Sequence, residues 1–493
     1  MLKGTSDDPS IADSLAHEAI ERVRSEGQMS EAFWPQTTPA RIRFLALASL
    51  GMLLVLFLIV GLAIGQARDG MRIIGREAGP KVMATSDLYY ALSAMDTQVA
   101  NMLLLRGEGE EAEVSAAMRT FEERRRSADE AMMGAIQLVE GNATQERNLR
   151  DILDGLGRYE QLVAEARLLS RIDDSDGQAS DEVVDRYRTA TWEMRYELLP
   201  KAHNLTLSGG AEIRQTYEEK RTAALVGLMW VAAVGLLTVG VMAALHRYIA
   251  MKFRRRINPA LALATGGTLV VTVMAVAMLG TQAEYLRAAK EDGIDRVLDL
   301  SRARLASTNM QGDQSRYLLD PQLRFNYEQL YLEEAQRILY LSPEDGDVPG
   351  NLGSYTDEVD VLAGTYTDYP GDVYGFLGKR MGDSSVPGQQ AALERVVREY
   401  AVFHAADREM RDLAVKGEDE KAVALRMGKV EQAFEPYEAA LTDLIGLHKR
   451  AFEDAVAVGE RGQGGWSVVL PLVTLFIALL VVAGIYPRLA EYR

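Results

Sequence analysis

The residues of this chain that could carry out chemistry are few and scattered. Its five histidines, His17, His203, His246, His404 and His448, fall on different segments, and no two have the helical spacing of a zinc site with a carboxylate beside them. There is no cysteine, so neither a thiolate nucleophile nor a disulfide is available. No glycine-rich phosphate loop, nucleophile elbow or kinase signature occurs. Glu344-Asp345-Gly346-Asp347 offers oxygen ligands but lacks the pattern of a calcium loop. Asn142-Ala143-Thr144 and Asn204-Leu205-Thr206 match a glycosylation acceptor, a pattern frequent by chance. The expectation is a protein that is not an enzyme and holds neither cofactor nor metal. Its chemistry is recognition.

Three polar constellations suit that role. Asp96, Gln98 and Asn101 stand beside an apolar seam, either on the solvated flank of a helix or as a polar registry device or ligand contact. Tyr355, Tyr366, Tyr369 and Tyr374 lie in a stretch, 342–386, rich in Gly, Asp and Tyr and poor in helical period. Irregular segments on helical scaffolds often bind, and tyrosine favours interfaces, so these four are candidate partner contacts; a capping excursion is the plain alternative. Arg254, Arg255 and Arg256 are candidate docking residues in a short basic loop, whose simpler role is anchoring at a lipid headgroup layer.

The elements that position these residues begin with four apolar stretches, 44–64, 224–245, 260–279 and 466–486, none with a charged side chain. Each has about 20 residues, the length that crosses a ~30 Å hydrocarbon layer as a helix. The connection 247–258 holds Arg247, Lys252 and the three arginines with no acid, and Arg41, Arg43 and Arg488 flank the first and last spans. The bias of basic residues toward the cytoplasmic side predicts a multi-pass plasma-membrane protein with both termini inside. The expected layout is a cytoplasmic tail 1–41, spans 42–66, 223–246, 259–282 and 466–487, the basic loop, a cytoplasmic end 488–493, and two extracytoplasmic segments, 67–222 and 283–465. A net charge of −17 gives surfaces unsuited to nucleic acid. The four apolar stretches carry no charged residue, which argues against a transporter; Gly266-Gly267 and Pro471 are candidate breaks, and Gly61 and Gly65 a candidate close approach.

Each large segment reads as a four-helix bundle, giving an all-α membrane protein. In the first, Leu88, Leu92, Met95, Val99 and Met102 step by three and four residues, the seam of a bundle helix that continues out of the membrane. Turns are expected at Arg106-Gly107-Glu108-Gly109, Gly141-Asn142-Ala143-Thr144 and Asp173-Asp174-Ser175-Asp176-Gly177. The second segment repeats the plan, with 342–386 inserted. The stretch 93–104 aligns weakly with 308–319, at matched places in the two halves. A parallel repeat predicts a pseudo-twofold axis along the membrane normal, a built-in dimer; a further homodimer is compatible with it.

On these features the chain resembles the GlnX family of actinobacterial four-span membrane proteins. The elements that carry the likeness are the acidic tail, the four spans, Arg254-Arg255-Arg256-Ile257-Asn258-Pro259, and Asp96-x-Gln98-x-Ala100-Asn101. Each half is similar to the four-helix sensory modules of chemoreceptors and sensor kinases. The resemblance implies a signal relay: an extracytoplasmic solute-binding lipoprotein (GlnH-like) senses amino acids, and a cytoplasmic serine/threonine kinase (PknG-like) receives the signal. A direct small-molecule sensor and a structural envelope scaffold are the alternatives.

Overall fold

The computed structural model describes residues 38–105, 111–138, 142–173, 179–253, 258–343, 348–366, 368–378 and 386–490. Most of the expected tail, all of Arg254–Arg256, the turn at 106–109, and parts of the turns at 141 and 174–177 and of the stretch 342–386 lie outside them. The chain forms two compact units. One holds the residues up to Ala67, Thr222–Thr281 and those from Gly462 on; the other holds Arg68–Arg221 and Gln282–Arg461.

The helices are α1 (Thr38–Arg72), α2 (Gly79–Leu104), α3 (Glu111–Leu138), α4 (Ala143–Ile172), α5 (Asp181–Trp192), α6 (Leu199–Phe253) and α7 (Pro259–Arg287). They continue as α8 (Asp295–Leu319), α9 (Arg324–Ile338), α10 (Leu352–Gly364), α11 (Gln389–Val415), α12 (Asp419–Leu425), α13 (Glu431–Gln463) and α14 (Trp466–Ala490). Four π-helical segments join some of these without a break in the helix: Ile73–Ala78, Glu193–Leu198, Ala288–Ile294 and Arg426–Val430. Ile73 stands in the same register to Ser93 as Ala288 does to Thr308, so the π segments Ile73–Ala78 and Ala288–Ile294 precede the two aligned stretches by the same distance.

The first unit is built from α1, α6, α7 and α14, each long and apolar enough to cross a membrane. This is a multi-pass all-α membrane protein. Leu47, Leu62, Leu236, Leu263, Leu472 and Phe476 point outward, each more than half exposed, as lipid-facing side chains do. Buried hydroxyls are satisfied within their own helix: Thr238 donates to the Val234 carbonyl at 2.7 Å, Thr268 to Ala264 at 2.9 Å and Thr272 to Thr268 at 2.8 Å. The close approaches are not at Gly61 and Gly65, which have open space around them. They are at Gly235, where a Cβ would lie 2.2 Å from Thr272 Cγ2, and at Gly484, where it would lie 2.8 Å from Leu261 Cγ. Neither Gly266-Gly267 nor Pro471 breaks its helix. A two-residue turn, Gly464 and Gly465, separates α13 from α14.

The second unit contains both halves. Leu88, Leu92, Met95, Val99 and Met102 are all buried, as the seam pattern requires, and their core is contiguous with that of the second half around Tyr331, Tyr400 and Tyr437. A second apolar cluster draws on all four long helical paths: Met71 and Ile74, Ile213 and Tyr217, Leu286 and Ile294, and Phe452. Local caps follow from side-chain chemistry. Asn142 accepts from the Thr144 and Gln145 amides at the start of α4, and Gly417, at φ +77°, ends α11 in the left-handed region.

The described part of the stretch 342–386 is more regular than its composition predicts. It contains α10 and β2 (Gly371–Tyr374), which pairs antiparallel with β1 (Tyr340–Pro343), in register Tyr340 to Tyr374 and Pro343 to Gly371. Gly375, at φ +89°, turns the chain onto the end of α9, where Phe376 and Leu377 amides donate to the Arg337 and Ile338 carbonyls at 3.0 Å.

Candidate functional site

The two stretches aligned in the sequence, on α2 and α8, pack against each other within the second unit. Gly312 sets their separation: a Cβ there would lie 3.0 Å from Thr97 Oγ1, so the missing side chain is what lets the helices meet. Hydroxyls and amides interlock across the contact. Ser93 donates to Asn309 Oδ1 at 2.6 Å, Thr97 to the Thr308 carbonyl at 3.1 Å, and Ser315 to Asn101 Oδ1 at 2.6 Å.

At the centre is a buried ion network. Arg316 of α8 pairs with Asp96 of α2, and donates to Asp313 Oδ1 at 2.7 Å and to the Tyr187 hydroxyl at 3.0 Å. Tyr159 of α4 donates to Asp96 at 3.0 Å, and Arg195 pairs with Asp313. Two carboxylates thus face two guanidinium groups, and Asp96, Asp313 and Arg316 are almost fully buried. Burial works against the charge on Arg316, but Tyr187, Asp96 and Asp313 outweigh it and hold its pKa well above the ordinary value. Such a network adds little net stability over an apolar core. It does make one register far better than its neighbours, because any slip strands a charge.

Two of the π segments aim arginines at this crossing. Glu193–Leu198 carries Arg195, which reaches Asp313; Arg426–Val430 begins with Arg426, which donates to the Gln311 carbonyl at 3.1 Å and to Glu431 at 3.1 Å. Asp313 and Gln311 flank Gly312, so the fourth helix of each half grips α8 on one side of the close approach. A π turn carries an extra residue and marks places where a helix changes register. Further along, Arg188 donates to both oxygens of Asp320 at 2.8 and 2.7 Å, a bidentate tie between the halves.

A polar extension lies inside the second half. Gln314 donates to Asp407 at 2.9 Å, and Arg411 donates to the same carboxylate at 2.8 Å while lying over the rings of Tyr317 and Tyr331. His404 is enclosed by Tyr331, Tyr355, Tyr400 and Phe403. Burial first, then Arg411 and Arg408, lower its pKa to about 3, so it is neutral.

Asp96 and Asn101 are therefore in the interior, not on a solvated flank, and Gln98 is half-buried beside them. Tyr355 has no exposed surface and gives its hydroxyl to the Ala335 and Leu339 carbonyls at 2.8 and 2.9 Å, which makes it a core residue instead of a surface contact. Tyr366 and Tyr369 are half-buried, the latter donating to Glu358 at 2.6 Å; Tyr374 is exposed, packed on Tyr340. The hydrogen bonds described for these tyrosines run to Ala335, Leu339 and Tyr400 from Tyr355, to Glu358 from Tyr369 and to Asp372 from Tyr374, apart from the Asp96 network. Sequence reasoning passed over Arg316, Asp313, Arg195 and Gly312. The available signal was the presence of charged residues within an otherwise apolar helical spacing around Met310 and Tyr317.

Comparison with known proteins adds one match. Residues 70–218 fit the family model of an actinobacterial sensor domain. The matched region runs from the end of α1 to the middle of α6 and includes Asp96, Asn101, Tyr159 and Arg195. It supports a sensor or signalling role for this membrane protein. No curated protein and no solved structure matches the chain.

Proposed function

We propose that the protein is a transmembrane signal relay, with the second unit outside the plasma membrane and both termini in the cytoplasm. Its finer role is the one the sequence resemblance implies: passing amino-acid availability from a GlnH-like solute-binding lipoprotein to a PknG-like serine/threonine kinase. The observation that carries this reading is helical continuity. The segments Pro39–Leu104 and Pro259–Leu319 each run as one helix from an apolar span into α2 or α8, the two helices that meet at the Asp96–Arg316 contact. A docked partner that favours one packing of that contact over another shifts its population, because only differential affinity can do so. The spans then carry the difference inward as a small shift or rotation.

Two measurements test this. Because the chain has no cysteine, single replacements such as Ile172→Cys, Val415→Cys and Arg255→Cys report sidedness with a membrane-impermeant maleimide. The first two are expected to label in intact cells and the third only after lysis. Deletion of the gene is expected to abolish the response of the kinase to added amino acids. A deletion strain that keeps the full response, or labelling of Arg255→Cys from outside, overturns the relay.

A further inference from the structure

A cavity of about 590 Å³ opens between the two halves, adjacent to the polar seam. Buried Leu305 of α8 lines it, and Tyr89 of α2 and His203 of α6 wall it, their rings 5.5 Å apart. Arg302 of α8 and Arg337 of α9 bring two guanidinium groups to the lining, and Glu334 brings one carboxylate. Arg302 spends Nη1 on Asp299 at 3.2 Å and Arg337 spends Nη1 on Glu334 at 3.2 Å, so each keeps further N–H groups for another acceptor. Burial lowers the pKa of His203, and Arg302 and Arg337 lower it further, which keeps the imidazole neutral at pH 7. Two guanidinium groups with N–H groups to spare, each paired on one nitrogen with a carboxylate, thus line an apolar and aromatic interior.

We propose that this cavity binds a small organic anion, a carboxylate on an apolar or aromatic body, with its charge on Arg302 and Arg337 and its body against Leu305 and the Tyr89–His203 pair. The volume lies in the range of small-molecule sites, and a few convergent polar groups on apolar walls are their usual composition. The site is also wired to the seam. Asn309 donates to Glu334 at 3.1 Å and accepts from Ser93 of α2 at 2.6 Å. A ligand that draws Arg337 off Glu334 therefore alters the neighbour of a residue that joins the two halves. The inference rests on the sensing role proposed above and names a chemistry for it.

The test uses the full chain in lipid nanodiscs at pH 7, with saturation-transfer NMR and calorimetry, and empty nanodiscs as the blank. The probes are phenylacetate, hexanoate and 3-(4-hydroxyphenyl)propionate, with phenylacetamide as the uncharged twin. Saturable binding of at least one carboxylate is expected, with phenylacetamide at least about tenfold weaker than phenylacetate if that acid binds, as loss of a charge-assisted pair requires. The double variant Arg302→Gln, Arg337→Gln is expected to weaken the carboxylate at least about tenfold with its thermal unfolding unchanged. Absence of saturable binding by all three acids, equal affinity for acid and amide, or full affinity in the double variant overturns the proposal. Any of these leaves the relay standing, since docking of a binding protein needs no small ligand. Intact binding in cells whose kinase ignores amino acids would do the reverse.

Discussion

Arg316 and Asp96 form an ion pair between α8 and α2, two helices that begin the two halves of the second unit, and each side chain is only 3% exposed. Asp96 is oriented by Tyr159 of its own half, and Arg316 by Asp313 of its own, so each half prepares one charge for the other. The pair is thus a joint that specifies how the halves meet, and its removal separates stability from specificity.

Arg316→Met alone leaves Asp96 charged and buried, and is expected to cost about 3–5 kcal/mol. Asp96→Leu combined with Arg316→Met removes both charges and is expected to recover most of that loss. Denaturant unfolding of the purified protein measures both. The double variant is expected to remain folded; a double variant as unstable as the single one would count against the joint.

Gly312→Ala places a Cβ 3.0 Å from Thr97 Oγ1 and 2.9 Å from an Arg316 nitrogen. Overpacking of this kind costs about 1–3 kcal/mol. Thr97→Ala relieves one of the two clashes, so the double variant is expected to be less destabilised than the sum of the singles. Strict additivity in a double-mutant cycle would show that the two positions do not touch.

His404 gives the second half a sensitivity to acid. Its folded pKa is about 3, below the ordinary 6.5, so the unfolded chain takes up a proton that the folded one refuses. Stability from this group is complete above pH 6.5 and falls at up to about 1.4 kcal/mol per pH unit as the pH drops towards 3. The groups facing the ring are Tyr331, Tyr355, Tyr400 and Phe403, with Arg411 and Arg408 adding positive potential. His404→Phe is expected to flatten the decline between pH 6 and 4, which unfolding midpoints across that range would reveal. An unchanged slope would assign the acid response to other groups.

Among the spans, Gly235→Val is expected to force α6 away from Thr272 of α7 and lower stability in detergent by more than about 1 kcal/mol, whereas Gly61→Ala is expected to change it by less than about 0.5 kcal/mol. Unfolding in mixed micelles compares the two. Equal effects would mean that the small residues act through helix propensity alone.

Much of this architecture was legible in the residues. Span positions follow from uncharged apolar runs, and the bundle helix at Leu88–Met102 from its steps of three and four, because burial imposes those spacings directly. The ion pair was not legible. Asp96 and Arg316 are brought together by tertiary packing, and a lone aspartate beside an apolar seam looks the same whether water or arginine meets it. The π segments escaped for another reason: one extra residue shifts a helix without adding a turn signal. In the stretch 342–386 the signal existed but was masked. Leu352, Tyr355, Val359 and Leu362 are the buried face of α10 at helical spacing, among Gly, Thr and Asp residues that favour other conformations. That same spacing accounts for the burial of Tyr355.

Both partners in the seam belong to a single polypeptide, and this has a consequence for cells that make few copies of it. A sensor assembled from separate chains drifts toward monomers when scarce, and its output then depends on abundance as well as stimulus. Here covalent linkage fixes the local concentration of one half around the other, whatever the expression level. The pairing of the two halves is therefore written into the gene.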